Sequence, residues 1–171
     1  ASGVDTRSQA KTFIYAFLYG AGDAKIGSIV GGTARDGKRL KEKFLSNTPS
    51  LRALRERVSV ASGRGYVLGL DRRRVYVRSE HSALNTLLQS AGAIVMKKAL
   101  CLLDEYASTW NLDYKFIGNI HDEIQTEVRE DQADAFGRLA VSCIEASGIY
   151  YKLNCPLAGE YQVGDNWSET H

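Results

Sequence analysis

An α+β fold is predicted for this 171-residue chain. Residues 6–19, 80–108 and 130–147 place apolar side chains at helical spacing, and two other segments gather β-forming residues around charged turns. The chain is long enough for one ordinary domain with a sizeable core, and equally for a piece of something larger.

The elements follow in order. Residues 6–19 read as a helix because Ala10, Phe13, Ile14, Phe17 and Leu18 recur at i, i+3 and i+4; Thr6 can cap its start, and Gly20-Ala21-Gly22 ends it. After Gly31-Gly32-Thr33, residues 34–46 and 49–58 read as two charged helices, the second opened by Pro49 as a first-turn residue. Residues 66–70 and 74–78 suggest a short hairpin about Asp71-Arg72-Arg73. Ser79 can then cap a long helix over 80–108, whose Leu84, Leu87, Leu88, Ala91, Ile94, Val95 and Leu102 form a face broad enough to be largely buried. Residues 115–120 and 124–128 read as two strand arms around His121-Asp122-Glu123. A final amphipathic helix is expected over 130–147, and a last strand near Glu160-Tyr161-Gln162-Val163.

The net charge of +2 conceals a division. Residues 35–78 hold 13 Lys or Arg against 4 acids, a balance of +9, while residues 101–171 hold 4 against 13, a balance of −9. A basic half suits a polyanion, because each neutralised phosphate releases counterions, and carboxylates in the other half can hold divalent cations. Two mutually attracting halves, or plain solvated faces, give the same composition. No apolar run approaches the roughly 20 residues that span a bilayer, and the first residues lack a signal-peptide pattern, so a soluble protein without a membrane partner is expected. Cys101, Cys143 and Cys155 are widely spaced with no CxxC pair, which suggests reduced thiols in cytoplasm rather than a disulfide framework or zinc site.

Three constellations carry chemistry. Arg7, Lys11, Tyr15 and Tyr19 stand at successive i, i+4 steps and form one slowly turning stripe roughly 18 Å long. An Arg fork and a Lys point charge one turn apart can grip a triphosphate, with aromatic rings beyond them for a sugar and a base; snorkelling cations and core-edge tyrosines fit the same spacing. His121-Asp122-Glu123 places adjacent carboxylates at a hairpin tip, the hard-oxygen chemistry that Mg²⁺ prefers, although solvated acidic turns are also common. His81, Asn85 and Gln89 form a polar stripe able to test minor-groove acceptors, or simply an exposed helix face.

The order of these three motifs carries a resemblance. Arg7-xxx-Lys11-xxx-Tyr15-xxx-Tyr19-Gly20 resembles motif B of family A (DNA polymerase I-like) DNA polymerases, and Phe13 to Gly22 extends it. Asn85-Thr86-Leu87-Leu88-Gln89 resembles the family's Asn-xxx-Gln helix, His121-Asp122-Glu123 its motif C, and Asn166-Trp167-Ser168-Glu169-Thr170-His171 its C-terminal end. The resemblance covers nearly the whole chain and is strongest to replicative polymerases of podovirus-type bacteriophages. Single-subunit RNA polymerases share the architecture but usually show Met at the position of Tyr15 and Ser at that of Glu123.

This resemblance implies mainly helical fingers over residues 1–64 and a partial palm with an antiparallel β-hairpin over 65–171. It implies that Arg7 and Lys11 hold the phosphates of a deoxynucleoside triphosphate, that Tyr15 contacts its sugar, and that Tyr19 with Gly20 guards the templating position. His81, Asn85 and Gln89 would contact primer-template DNA, Asp122 would coordinate catalytic Mg²⁺, Glu123 would support that site, and His121 would lie near the primer end. The family's motif A, an Asp on a palm strand, has no counterpart here, and Asp5 lacks the motif around it. A separate N-terminal polymerase portion, or self-association, is therefore expected to cover an exposed strand edge and complete the site. The rival expectations are a non-catalytic nucleic-acid-binding module using the +9 segment and, more distantly, a metal-dependent nuclease.

Overall fold

Helical spacing in the sequence becomes six α-helices, and the β-forming segments become four strands paired as two separate antiparallel hairpins, among the described residues. The structure is a computed structural model and describes residues 6–170, so Asp5 and His171 lie outside the described residues. The chain divides into two compact units, Ala1–Ser90 and Ala91–His171.

In the first unit, α1 (Arg7–Leu18) begins as expected, with the Thr6 hydroxyl accepting from the Gln9 backbone N–H at 3.2 Å. Its Phe13 and Phe17 rings each meet Phe44 of α3 (Ala34–Asn47) edge-on, with centroids 5.2 Å apart. Ile26 of α2 (Asp23–Ile29) and Leu40 complete this core. Helix α2 was not expected from the sequence, because seven residues show too little periodicity to register. Tertiary contacts hold it: the half-buried Lys41 ammonium of α3 donates to the Ala21 carbonyl at 2.5 Å and pairs with Asp23 at 2.9 Å. At the start of α3, the backbone N–H and hydroxyl of Thr33 donate to the Asp36 carboxylate and hold its pKa below the ordinary range.

Pro49 opens α4 (Pro49–Ser62), as predicted. The hairpin of β1 (Tyr66–Leu68) and β2 (Arg74–Tyr76) follows. Period-2 alternation turns Val67 and Val75 inward, where Val67 joins Val58, Ala83 and Leu84 in a second core. The long helix starts later than expected. A 3₁₀ turn occupies Glu80–Ser82, and α5 runs over Ala83–Thr109. By length and composition, the Glu80–Thr109 stretch meets the test for a membrane-crossing helix, a test the core helix of a folded protein also passes. Its Ala83 and Leu84 enter the core just described, and its Leu103 and Ala107 enter the core of the second unit.

In that second unit, β3 (Tyr114–Ile120) and β4 (Glu123–Val128) pair with Ile120 opposite Glu123, leaving His121 and Asp122 as a two-residue tip. A register shift between Phe116 and Gly118 leaves Ile117 bulged and 67 % exposed. The Tyr114 ring meets Phe116 edge-on and Phe136 at a tilt, and its hydroxyl donates to the Asp104 carboxylate at 2.7 Å. A 3₁₀ turn at Glu130–Gln132 leads into α6 (Ala133–Tyr150), which contributes Phe136, Leu139 and Cys143 to the core. Burial pushes the Cys143 thiol above its ordinary pKa, and all three cysteines are free.

The strand expected near residues 160–163 does not form. Among the described residues no strand pairs with it, and the Tyr161 ring instead packs against Gly137, where an added Cβ would meet the ring at 2.2 Å. The β3–β4 sheet has only two strands, so both outer edges are unpaired among the described residues.

Candidate functional site

The stripe predicted on α1 exists and faces outward. Arg7 and Lys11 are exposed, and Tyr15 and Tyr19 are 52 % and 58 % exposed. Tyrosines this open are not core-edge residues, which removes one of the two structural explanations for the spacing. The opposite face carries the buried Phe13 and Phe17, so packing of that face fixes the direction of the stripe. The Lys11 ammonium sits 6.0 Å from the Tyr15 ring centroid, within cation–π range. Helix α1 stops at Leu18, so Tyr19 is its C-terminal cap rather than a helical residue.

At that cap, two of the sequence constellations meet. The Gln89 side-chain amide donates to the Tyr19 hydroxyl at 3.2 Å across 70 residues of chain. Gly20 adopts φ +76°, and a Cβ there would lie 2.5 Å from the His81 carbonyl oxygen. Glycine is therefore required twice, for the left-handed backbone and for the close approach. Asn85 lies on α5 between these contacts, half-buried, while His81 sits in the preceding 3₁₀ turn. Gly20 and His81 also line a cavity of about 730 Å³, with Lys41, Arg52 and Arg55 among its walls.

The acidic triplet divides unequally. His121 and Asp122 are exposed at the hairpin tip, with His121 held at φ +57°, a left-handed conformation costing about 1–2 kcal/mol for most L-residues. Glu123 is instead the first residue of β4 and half-buried. Its Oε1 accepts from the Trp167 indole N–H at 2.9 Å and from the Gln125 amide. The Thr170 hydroxyl in turn donates to Gln125 Oε1 at 3.4 Å, so the C-terminal segment lies along β4. Trp167 and Gln125 were not singled out from the sequence as site residues. The only available signal was the place of Trp167 in the C-terminal motif.

The donor set can be weighed against a divalent cation. Asp122 offers a hard carboxylate at an exposed tip, and Glu123, half-buried at the start of β4, supplies a second carboxylate next to it in sequence. Among the described residues no group of three or more His, Cys, Asp or Glu is assembled as a metal site. The pair thus fits part of a magnesium site that a further ligand would complete.

Comparison with known proteins bears on these motifs together. Residues 2–169 match the family described as DNA polymerase family A. The chain is 40 % identical over 177 residues to the DNA-directed DNA polymerase of Escherichia phage Phieco32, covering 99 % of this chain and 29 % of that protein. It is 41 % identical over 193 residues to that of Escherichia phage T7, covering all of this chain and 27 % of that protein. It therefore spans less than a third of the length of these relatives. Among solved structures, the POL domain of Pol1 from M. smegmatis, in complex with DNA primer-template and dNTP, matches 82 % of this chain and 27 % of that chain. The TM-score of 0.73 at 20 % identity shows a shared fold.

Proposed function

The chain belongs to DNA polymerase family A, and from that membership we propose that it forms the nucleotide-binding and motif C portion of a template-directed DNA polymerase. The observation that carries this reading is the junction at Tyr19-Gly20, where the end of the cationic–aromatic stripe abuts His81 and Gln89. A residue line suited to a triphosphate there adjoins a polar line suited to minor-groove acceptors. In this reading residues 1–64 are fingers and residues 65–171 partial palm.

The reaction is attack of a primer 3′-hydroxyl oxygen on the α-phosphorus of a deoxynucleoside triphosphate, with pyrophosphate leaving. Arg7 and Lys11 neutralise and orient the phosphates, Tyr15 packs the sugar, and Tyr19 with Gly20 bounds the templating position. His81, Asn85 and Gln89 contact the primer-template duplex, and His121 lies near the primer end. Catalysis of this kind is chiefly positioning and charge stabilisation. Family A polymerases generally use a divalent metal; in this chain Asp122 would hold Mg²⁺ and Glu123, oriented by Trp167, would support it. Such an ion supplies Lewis-acid stabilisation of the attacking and leaving oxygens. A motif A carboxylate, carried by an N-terminal polymerase portion, completes the set, and the open edges of the β3–β4 sheet suit pairing with it. Three free thiols accord with action in bacterial host cytoplasm.

Primer extension tests the proposal. With magnesium, the chain supplemented with the N-terminal portion extends a primer, and the chain alone does not. Survival of reconstituted synthesis in Asp122→Ala removes the metal role. Binding that responds only to salt and to loss of basic residues, with no synthesis in any combination, favours the non-catalytic nucleic-acid-binding module instead.

A further inference from the structure

The C-terminal segment is strapped to α6 before it reaches the acidic tip. Leu157 packs 2.9 Å from where a Cβ on Gly148 would lie, and the Ile144 side chain is 3.0 Å from the place of a Cβ on Gly159. Tyr161 packs against Gly137, and its hydroxyl donates to Asp134 at 3.3 Å. As the strap advances from 157 to 161, its α6 partners fall back from 148 to 137, so the segment retraces the helix toward its start. A stapled 3₁₀ turn follows at Trp167–Glu169, where the Glu169 carboxylate accepts from the Asp165 backbone N–H at 2.9 Å and the Asn166 amide at 2.7 Å. That turn presents Trp167 and Thr170 to β4.

Gln125 sits between the strap and Glu123, and the chemistry of its amide selects one orientation. A carboxylate accepts hydrogen bonds and donates none, so Gln125 turns its NH₂ group to Glu123 Oε1 and its carbonyl the other way. There it meets the Thr170 hydroxyl, which lies 3.4 Å from Gln125 Oε1 and 3.3 Å from the Trp167 carbonyl oxygen. A reversed amide would set oxygen against oxygen at Glu123. The strap thus reaches Glu123 Oε1 twice, directly through the Trp167 indole and indirectly through Thr170 and Gln125. Two donors on one oxygen fix the plane of a carboxylate that a single donor leaves free to swing.

We propose that Gln125 is a positioning residue for the motif C carboxylate Glu123, its amide aimed by Thr170 of the C-terminal strap. The proposal rests on the polymerase reading, in which Glu123 supports the Mg²⁺ held by Asp122. Gln125 acts on the cation through the direction it gives to Glu123.

The test uses the chain supplemented with its N-terminal portion and bound to primer-template. It reads Mn²⁺ binding by electron paramagnetic resonance beside primer extension over a magnesium titration. Gln125→Leu weakens Mn²⁺ binding about tenfold and raises the magnesium concentration for half-maximal rate by the same factor, the low end of what loss of a partner behind a metal ligand costs. Saturating magnesium restores most of the rate, and the KM for deoxynucleoside triphosphate is unchanged. Thr170→Val keeps the shape of the side chain and removes the hydroxyl. It weakens Mn²⁺ binding about threefold, near the low end for one hydrogen bond, and Thr170→Ser restores it. A merely structural role lowers the rate at every magnesium concentration while Mn²⁺ affinity stays constant. That result, or a Thr170→Ser chain no better than Thr170→Val, overturns the proposal. Circular dichroism checks each variant for folding, and where Gln125→Leu does not fold the Thr170 pair decides alone. Failure of the polymerase reading shows separately, as Asp122→Ala leaving both Mn²⁺ binding and synthesis undiminished. Loss of both in Asp122→Ala, with no change in Gln125→Leu, removes only the role of Gln125.

Discussion

The stripe on α1 and the tip of the β3–β4 hairpin both present charge to solvent, yet they are built by different means. On α1, the 3.6-residue period sets Arg7, Lys11 and Tyr15 in line, and Phe13 and Phe17, packed on Phe44, fix where that line points. Nothing beyond one helix and its core contact is required. At the tip, adjacency in sequence gives Asp122 and Glu123 different environments: one is exposed, while the other is gripped by Trp167 from 44 residues away. A helix therefore arranges side chains locally, whereas orienting a carboxylate beside a turn takes a donor brought in by the fold.

The largest expected effect tests the unequal division at the tip. Asp122→Ala lowers reconstituted primer extension about a thousandfold or more, beyond the loss typical of removing one charge-stabilising donor; a loss below tenfold would show that the tip does not hold the ion. Trp167→Phe keeps the ring but removes the N–H donor to Glu123. It lowers activity about 10- to 100-fold and raises the magnesium concentration needed for half-maximal rate, as loss of an outer-shell partner does. An unaltered magnesium titration would mean that Glu123 needs no such support.

Smaller effects fall on the other side of the comparison. Gly20→Ala forces a side chain into φ +76° and against the His81 carbonyl, so urea unfolding should register a loss of about 2 kcal/mol, from the left-handed strain plus the clash. Stability unchanged there would mean that α1 and the His81 turn are not rigidly joined. The smallest is a gain. His121→Gly relieves φ +57° and stabilises the folded chain by about 0.5–1 kcal/mol, the larger unfolded-state entropy of glycine offsetting part of the benefit. A chain no more stable than before would show that the tip is unstrained.

Legibility in the sequence followed the same division. Helices α1, α3, α4, α5 and α6 and both hairpins were visible, because each repeats its pattern over enough residues or brackets a turn with β-formers. Helix α2 was too short for periodicity, and its fold depends on Lys41 reaching Ala21 and Asp23. The strand expected around Tyr161 was a fair reading of propensity defeated by packing, since the ring gains more from Gly137 than a lone strand gains from solvent. The stripe on α1 could be laid out residue by residue. The bond from Gln89 to Tyr19 and the indole bond to Glu123 could not, because both join positions that no local pattern relates.

What the sequence by itself determined is the chemistry on offer: two cations and two phenols at i, i+4 steps, a carboxylate pair after His121, a basic stretch over 35–78, and the family these compose. Tertiary structure alone decided which groups are held and which are left open. It bonded Glu123 and exposed Asp122, and pressed Gly20 against His81. The physical reason is range. Periodicity and turn chemistry act over a few residues, whereas a hydrogen bond or a close contact is set by whatever the packed core brings within about 3 Å.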